Sequence, residues 1–73
     1  MTKTTMKDLV IRTDYIHLDQ ALKLAGLAAS GGEAKAFVKG GSVSVNGAVE
    51  TRRGRKLRPG DVVEFDGIVM RIA

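Results

Sequence analysis

The sequence of 73 residues has no cysteine, no tryptophan and a single histidine. Without cysteine there is no disulfide framework and no thiolate metal site, and one histidine cannot form a multi-histidine metal site. No apolar run approaches the roughly 18 residues of a membrane span. The first ten residues, MTKTTMKDLV, lack the apolar region and the cleavage site of a signal peptide. We therefore expect one cytoplasmic domain with no metal, no cofactor and no membrane partner.

Side chains arranged for catalysis are also missing. His17 has no cysteine to activate, and a role as a helix cap fully explains Ser30. The carboxylates are scattered, and none has an evident apolar pocket that would raise its pKa. The glycine-containing stretch 30–33 is not a phosphate-binding loop of the GxxxxGK type. We expect no catalytic residues and no enzymatic activity.

Positive charge is unevenly distributed along the chain, which carries a net charge of +4. Residues 31–58 contain seven cations against two acids, and five of those cations lie within 52–58. Such a cluster is typical of a surface that faces phosphates. The alternative is an ordinary solvated loop.

Two short helices are predicted. Apolar residues recur at helical spacing over 18–25, and Gly26 follows where a helix would end. His17 occupies the N-cap position of this helix and is a poor cap. A second helix over 31–39 begins with the capping box that Ser30 and Glu33 form.

The remaining chain predicts two β-hairpins. Alternating residues surround Asn46-Gly47 and Asp66-Gly67, and such dipeptides are strong hairpin signals. The basic stretch 51–58 is predicted to be mostly loop, and a short β-prone run at 9–11 suggests an edge strand. The fold class is therefore α+β, with two short helices packed on a small antiparallel sheet of two hairpins. We expect a disordered tail over 1–6 and a single monomeric domain over 7–73.

The three aromatic residues offer no row of rings on which bases could stack. Phe37 and Phe65 fall on apolar faces and are expected in the core, and Tyr15 is expected to pack at the entry of the first helix. This argues against an RRM or an OB-fold, which use stacking platforms. Recognition is expected to proceed through phosphates and shape.

The start of the second helix is a candidate phosphate site. Its first amides lack intrahelical partners and lie at the positive end of the helix dipole. Gly31 and Gly32 have no side chains to block a phosphate, and Lys35 and Lys39 follow along the helix. The alternative is that the two glycines only shape the entry of the helix.

An ordered set of motifs across residues 18–65 resembles the RNA-binding domain of the ribosomal protein S-four type, also called the αL RNA-binding motif. The motifs are Gly26-Leu27, Ser30, Glu33-Ala34-Lys35, the GSVSVNG run at 41–47 and Pro59-Gly60-Asp61. The Ser-Gly-Gly start and the Arg-Arg-Gly-Arg-Lys loop are similar to the free-standing bacterial subgroup typified by YbcJ.

The resemblance implies binding to structured RNA, with ribosomal RNA or ribosomal particles as the expected partner. It assigns RNA contacts to Ser30, Gly31, Lys35, Lys39, Arg52, Arg53, Arg55 and Lys56. We add Gly32, which also lies at the start of the second helix. Many members of the family carry an arginine where this chain has Gly31, so the basic loop is expected to supply the missing charge. Two alternatives are a helix-turn-helix DNA-binding protein and a protein-interaction adaptor without RNA binding.

Overall fold

A computed structural model describes residues 5–73, which form two helices and seven strands. The helices are α1 (Leu18–Leu24) and α2 (Gly31–Lys39). The strands are β1 (Thr5–Leu9), β2 (Ile16–His17), β3 (Val43–Val45), β4 (Ala48–Val49), β5 (Lys56–Leu57), β6 (Val62–Phe65) and β7 (Ile68–Ile72). Neither helix in residues 5–73 is long and apolar enough to cross a membrane.

The strands form a five-stranded sheet in the order β1-β7-β6-β3-β4 and a separate pair, β2 with β5. The α+β class and the two predicted hairpins are confirmed, and the sheet is larger than the hairpins alone. Strand β1 adds to β7 in parallel, and β2 pairs with β5 in antiparallel orientation. Of the predicted tail, Thr5 and Met6 instead belong to β1, and residues 1–4 lie outside the described residues. As an edge strand β1 is mostly exposed, so its sequence carries little apolar alternation.

The two hairpin turns have the backbone conformation that their dipeptides predict. Asn46 and Gly47 have φ angles of 52° and 85°, and Asp66 and Gly67 have φ angles of 50° and 77°. A type I′ turn needs positive φ at both central residues, and asparagine, aspartate and glycine adopt it at low cost. These turns fix the registers of β3 with β4 and of β6 with β7.

The core lies between the helix pair and one face of the five-stranded sheet. Its largest fully buried side chains are Leu18, Leu22, Val38, Val43, Val45, Leu57, Val63, Met70 and Ile72. Phe37 and Phe65 are only half-buried and pack against this core, with ring centroids 4.7 Å apart. The two rings predicted in the core therefore lie at its edge, because Ala34 and Val38 point α2 inward and leave Phe37 at the flank.

The two helices begin in different ways. At α2, Ser30 Oγ accepts a hydrogen bond from the Glu33 amide at 3.2 Å, and Glu33 Oε1 accepts one from the Ala29 amide at 3.2 Å. This confirms the Ser30 cap, with the return bond shifted by one residue. At α1, His17 gives no side-chain cap. The Leu18 and Asp19 amides instead donate to carbonyls of residues 51–58, and the Gln20 amide donates to Asp19 Oδ1.

Candidate nucleic-acid interface

The basic loop, residues 51–58, is anchored on the first turn of α1. The Leu18 amide donates to the Arg55 carbonyl at 2.9 Å, and the Asp19 amide donates to the Arg53 carbonyl at 3.0 Å. Two amides that a helix start normally leaves unpaired are therefore capped by loop carbonyls. Because the loop backbone bonds to the helix, its cationic side chains extend from a defined framework.

A clamp of two polar side chains closes the other end of the loop. Asn46 Nδ2 donates to Asp61 Oδ1 at 3.1 Å, and Asn46 Oδ1 accepts from the Val62 amide at 2.9 Å. Asp61 Oδ2 accepts from the Arg58 amide at 2.8 Å, and this bond is the main reason why the pKa of Asp61 is lowered. The Asn-Gly and Pro-Gly-Asp motifs therefore act together as a structural tie between a hairpin turn and the end of the loop.

Glu50 is a buried carboxylate inside this basic region, with only 6% of the residue exposed. Its Oε1 accepts from Arg52 Nη2 and Arg55 Nη1, each at 3.0 Å, and its Oε2 accepts from the Arg52 amide and Nε, each at 3.1 Å. The hydrogen bonds from Arg52 lower the pKa of Glu50 from 4.5 to about 2, with Arg55 adding to the effect. Four donors thus hold one ionised carboxylate beneath the loop.

The predicted loop cations consequently fall into two groups. Arg52 and Arg55 are tied to Glu50, although the side chain of Arg52 remains 77% exposed. Arg53 and Lys56 are exposed and make no ion pair with an acid within residues 5–73. Sequence reasoning missed the role of Glu50, whose only signal was its position beside a run of arginines.

The start of α2 presents the other predicted residues. Ser30 is the N-cap, and Gly31 and Gly32 are the first two helical residues. A Cβ built on Gly31 would meet no atom within 4 Å, and one on Gly32 would lie 3.9 Å from Ser30 Oγ. Internal packing therefore requires glycine at neither position, and the space over the first turn is open.

Lys35 and Lys39 lie one turn apart on α2. Lys35 is half-buried and Lys39 is exposed. Neither ammonium group pairs with a carboxylate in the part of the chain that the structure describes. Their charges are therefore available to an external anion.

Tyr15 lies at the entry of α1, and its ring is partly accessible. It is 39% exposed, its ring centroid lies 5.5 Å from that of His17, and Lys56 Nζ lies 4.7 Å from the centre of its ring. Sequence reasoning placed Tyr15 at the helix entry correctly but missed its neighbours. The sequence signal for these neighbours was the alternation of Tyr15 and His17 around Ile16, because alternate residues of a strand lie on the same side.

Comparison with known proteins gives a consistent result. Residues 9–73 match the family model described as the S4 domain. A Bacillus subtilis (strain 168) protein named "Probable ribosome maturation protein RlbA" is 53% identical over 57 residues, which cover 78% of this chain and 80% of that protein. YbcJ of Escherichia coli (strain K12) is 43% identical over 53 residues, which cover 73% of this chain and 76% of YbcJ.

The backbone has a solved counterpart as well. The solution structure of YbcJ from E. coli, which is described as revealing an αL motif involved in RNA binding, superimposes with a TM-score of 0.67. The two sequences are 34% identical in this superposition, which covers 100% of this chain and 91% of the other. The arrangement of helices and strands is therefore that of the αL motif.

Proposed function

Because the chain belongs to the S4 domain family, we propose that it is a small RNA-binding protein whose partner is structured RNA, in ribosomal RNA or ribosomal particles. The family is one of binding domains rather than a class of enzymes. The similarity to a protein named for ribosome maturation supports a ribosomal partner, and the similarity to YbcJ, with its αL motif, supports RNA as the ligand.

The proposed interface joins the start and outer side of α2 to the basic loop. It comprises Ser30, Gly31, Gly32, Lys35, Lys39, Arg52, Arg53, Arg55 and Lys56. The observation that carries it is that Lys35, Lys39, Arg53 and Lys56 make no ion pair within residues 5–73. Unpaired cations on two segments favour a polyanion that both can contact.

Helix α1 connects the two basic segments. The loop bonds to its first turn through two backbone hydrogen bonds, and α2 packs against its side. Both groups of cations are therefore fixed to the same short helix. An interface whose parts are held on one helix loses little conformational entropy when a ligand binds.

Salt dependence of RNA binding is the direct test. If about five phosphates are neutralised, log affinity should fall against log salt with a slope of about −3.5 to −4.5, between the single-strand and duplex coefficients. The double variant Arg53→Ala/Lys56→Ala should weaken binding about tenfold and reduce the slope by about 1.4 to 1.8. Replacing Arg52 and Arg55 is a poorer test, because it strips the buried Glu50 carboxylate of donors and disturbs folding.

The control for loss of a cation elsewhere is Arg71→Ala, which also breaks an exposed ion pair with Asp8. Arg71 is an exposed cation of β7, between the buried Met70 and Ile72, so it lies on the sheet face opposite the helices. It should leave the slope unchanged. A wild-type slope for the double variant would exclude the basic loop as the interface. Equal affinity for duplex DNA would argue against RNA as the specific ligand. Crosslinking in cells that recovers no ribosomal RNA would overturn the ribosomal assignment.

A further inference from the structure

The two-stranded ribbon of β2 and β5 has a buried face and an outer face of different chemistry. Ile16 pairs with Leu57 and both are buried, at 7% and 0% exposure. His17 pairs with Lys56, and their side chains point to the opposite side. Tyr15 precedes His17 by two residues and falls on this same outer side. The ribbon thus displays two rings and an ammonium group together.

A groove adjoins this outer face. Its lining includes Asp14, Tyr15, His17, Gln20, Lys23 and Leu24, and its volume is about 1030 Å³. That volume is at the upper end of the range for sites that hold drug-sized ligands. The lining combines aromatic surface, an exposed leucine, an amide that can donate and accept hydrogen bonds, and a cation.

We propose that this groove holds a single unpaired nucleotide of the bound RNA, with its base stacked on the side of the Tyr15 ring that lines the groove and is not covered by Lys56. An aromatic ring provides a stacking surface for any base, and such stacking is how single-stranded nucleotides are commonly held. Gln20 can hydrogen-bond the edge of the base, and Lys23 and Lys56 can contact its phosphates. Asp14 repels phosphate from its side of the groove, which orients the backbone toward the lysines.

The inference rests on the proposed function and extends it from phosphates to a base. Lys56 belongs both to the basic loop and to the outer face of the ribbon, where its Nζ lies 4.7 Å from the centre of the Tyr15 ring. An RNA strand whose phosphates contact the basic loop would therefore reach the groove directly at Lys56. The consequence is a preference for RNA that has a bulge or a single-stranded end beside its helix.

Fluorescence reports on the site directly, because Tyr15 is the only tyrosine and the chain has no tryptophan. An oligoadenylate should quench the Tyr15 emission in a saturable way. The same sugar–phosphate backbone with abasic positions should bind without this quenching. Equal quenching by both oligonucleotides would show that the backbone alone is responsible and would overturn the inference.

The affinities of two matched RNA hairpins separate this inference from the proposed function. An RNA hairpin with a short adenine tail should bind wild type about 5- to 20-fold more tightly than the same hairpin with a blunt end. Tyr15→Leu should abolish this gain, whereas Tyr15→Phe should retain it. Val49→Ala, which alters an exposed apolar residue on the other sheet, is the control for both hairpins.

The outcomes are distinguishable. Blunt-end binding with no gain from the tail would refute the nucleotide site and leave the proposed function standing. A gain that survives Tyr15→Leu would place the tail elsewhere and also refute the site. Failure of both hairpins to bind would overturn the proposed function and this inference together.

Discussion

At the scale of single residues, Glu50 determines how the charge of the basic loop can be interpreted. Its carboxylate lies beneath Arg52 and Arg55 and accepts four hydrogen bonds from them. These two arginines therefore serve the fold through Glu50, whatever else they contact. Counting charges along the sequence does not separate them from Arg53 and Lys56, because the distinction depends on which side chains the buried acid reaches.

Replacing this carboxylate should destabilise the protein. Glu50→Gln keeps the shape but removes the charge, and its amide nitrogen would face arginine donors. We expect a loss of about 1 to 3 kcal/mol in the free energy of unfolding, measured by urea titration. Glu64→Gln, at an exposed position on β6, is the matched control and should have little effect. An unchanged urea midpoint for Glu50→Gln would show that the carboxylate does not stabilise the loop.

At the scale of elements, local signals account for most of what the sequence predicts. The helices over 18–25 and 31–39 and both hairpin turns follow from helical spacing, a serine cap and Asn-Gly or Asp-Gly dipeptides. Strands β1, β2 and β5 are different, because each is held by a partner far away in the sequence. Pairing at that distance depends on the finished tertiary structure, so no short window of residues indicates it.

In the candidate site too, some features follow from local sequence and others from tertiary contacts. Ser30, Gly31 and Gly32 could be placed in advance, because a capping box fixes a helix start locally. The burial of Glu50 and the proximity of Tyr15 to Lys56 could not, because both arise where β2 meets β5 and the loop docks on α1. Residue types predict a basic interface, while tertiary contacts decide which of its cations are unpaired within residues 5–73.

The open first turn of α2 allows a gain-of-function test. Gly31→Arg introduces the arginine that the resemblance leads one to expect after Ser30, and a Cβ at this position would meet no atom within 4 Å. We expect the variant to fold, to bind RNA several-fold more tightly and to steepen the salt slope by about 0.7 to 0.9. Circular dichroism and a salt titration of RNA binding provide the measurements. A folded variant with unchanged affinity would place RNA away from this helix start.

At the scale of the whole molecule, two acids with lowered pKa values set the response to low pH. The pKa of Glu50 falls from 4.5 to about 2, and the pKa of Asp61 is lowered from 3.8 by the Arg58 amide. A carboxyl group whose pKa is lower in the folded state stabilises the fold fully above its unfolded pKa. That contribution is lost as the pH falls through the folded value.

The urea midpoint should therefore be nearly constant above about pH 5 and should decline between about pH 4.5 and pH 2. Glu50→Gln should show a shallower decline, because one of the two linked groups is gone. Measuring the midpoint across this range for wild type and for the variant tests both statements. Parallel pH profiles for the two proteins would mean that Glu50 does not carry the acid response.

The docking of the loop on α1 has a kinetic consequence. The amides of Leu18 and Asp19 donate to loop carbonyls, so their exchange with solvent deuterium requires the loop to lift away. In most helices such first-turn amides exchange quickly, whereas here their exchange would report how readily the loop opens. An RNA bound to the loop would slow hydrogen exchange at the Leu18 and Asp19 amides, although neither residue belongs to the proposed interface.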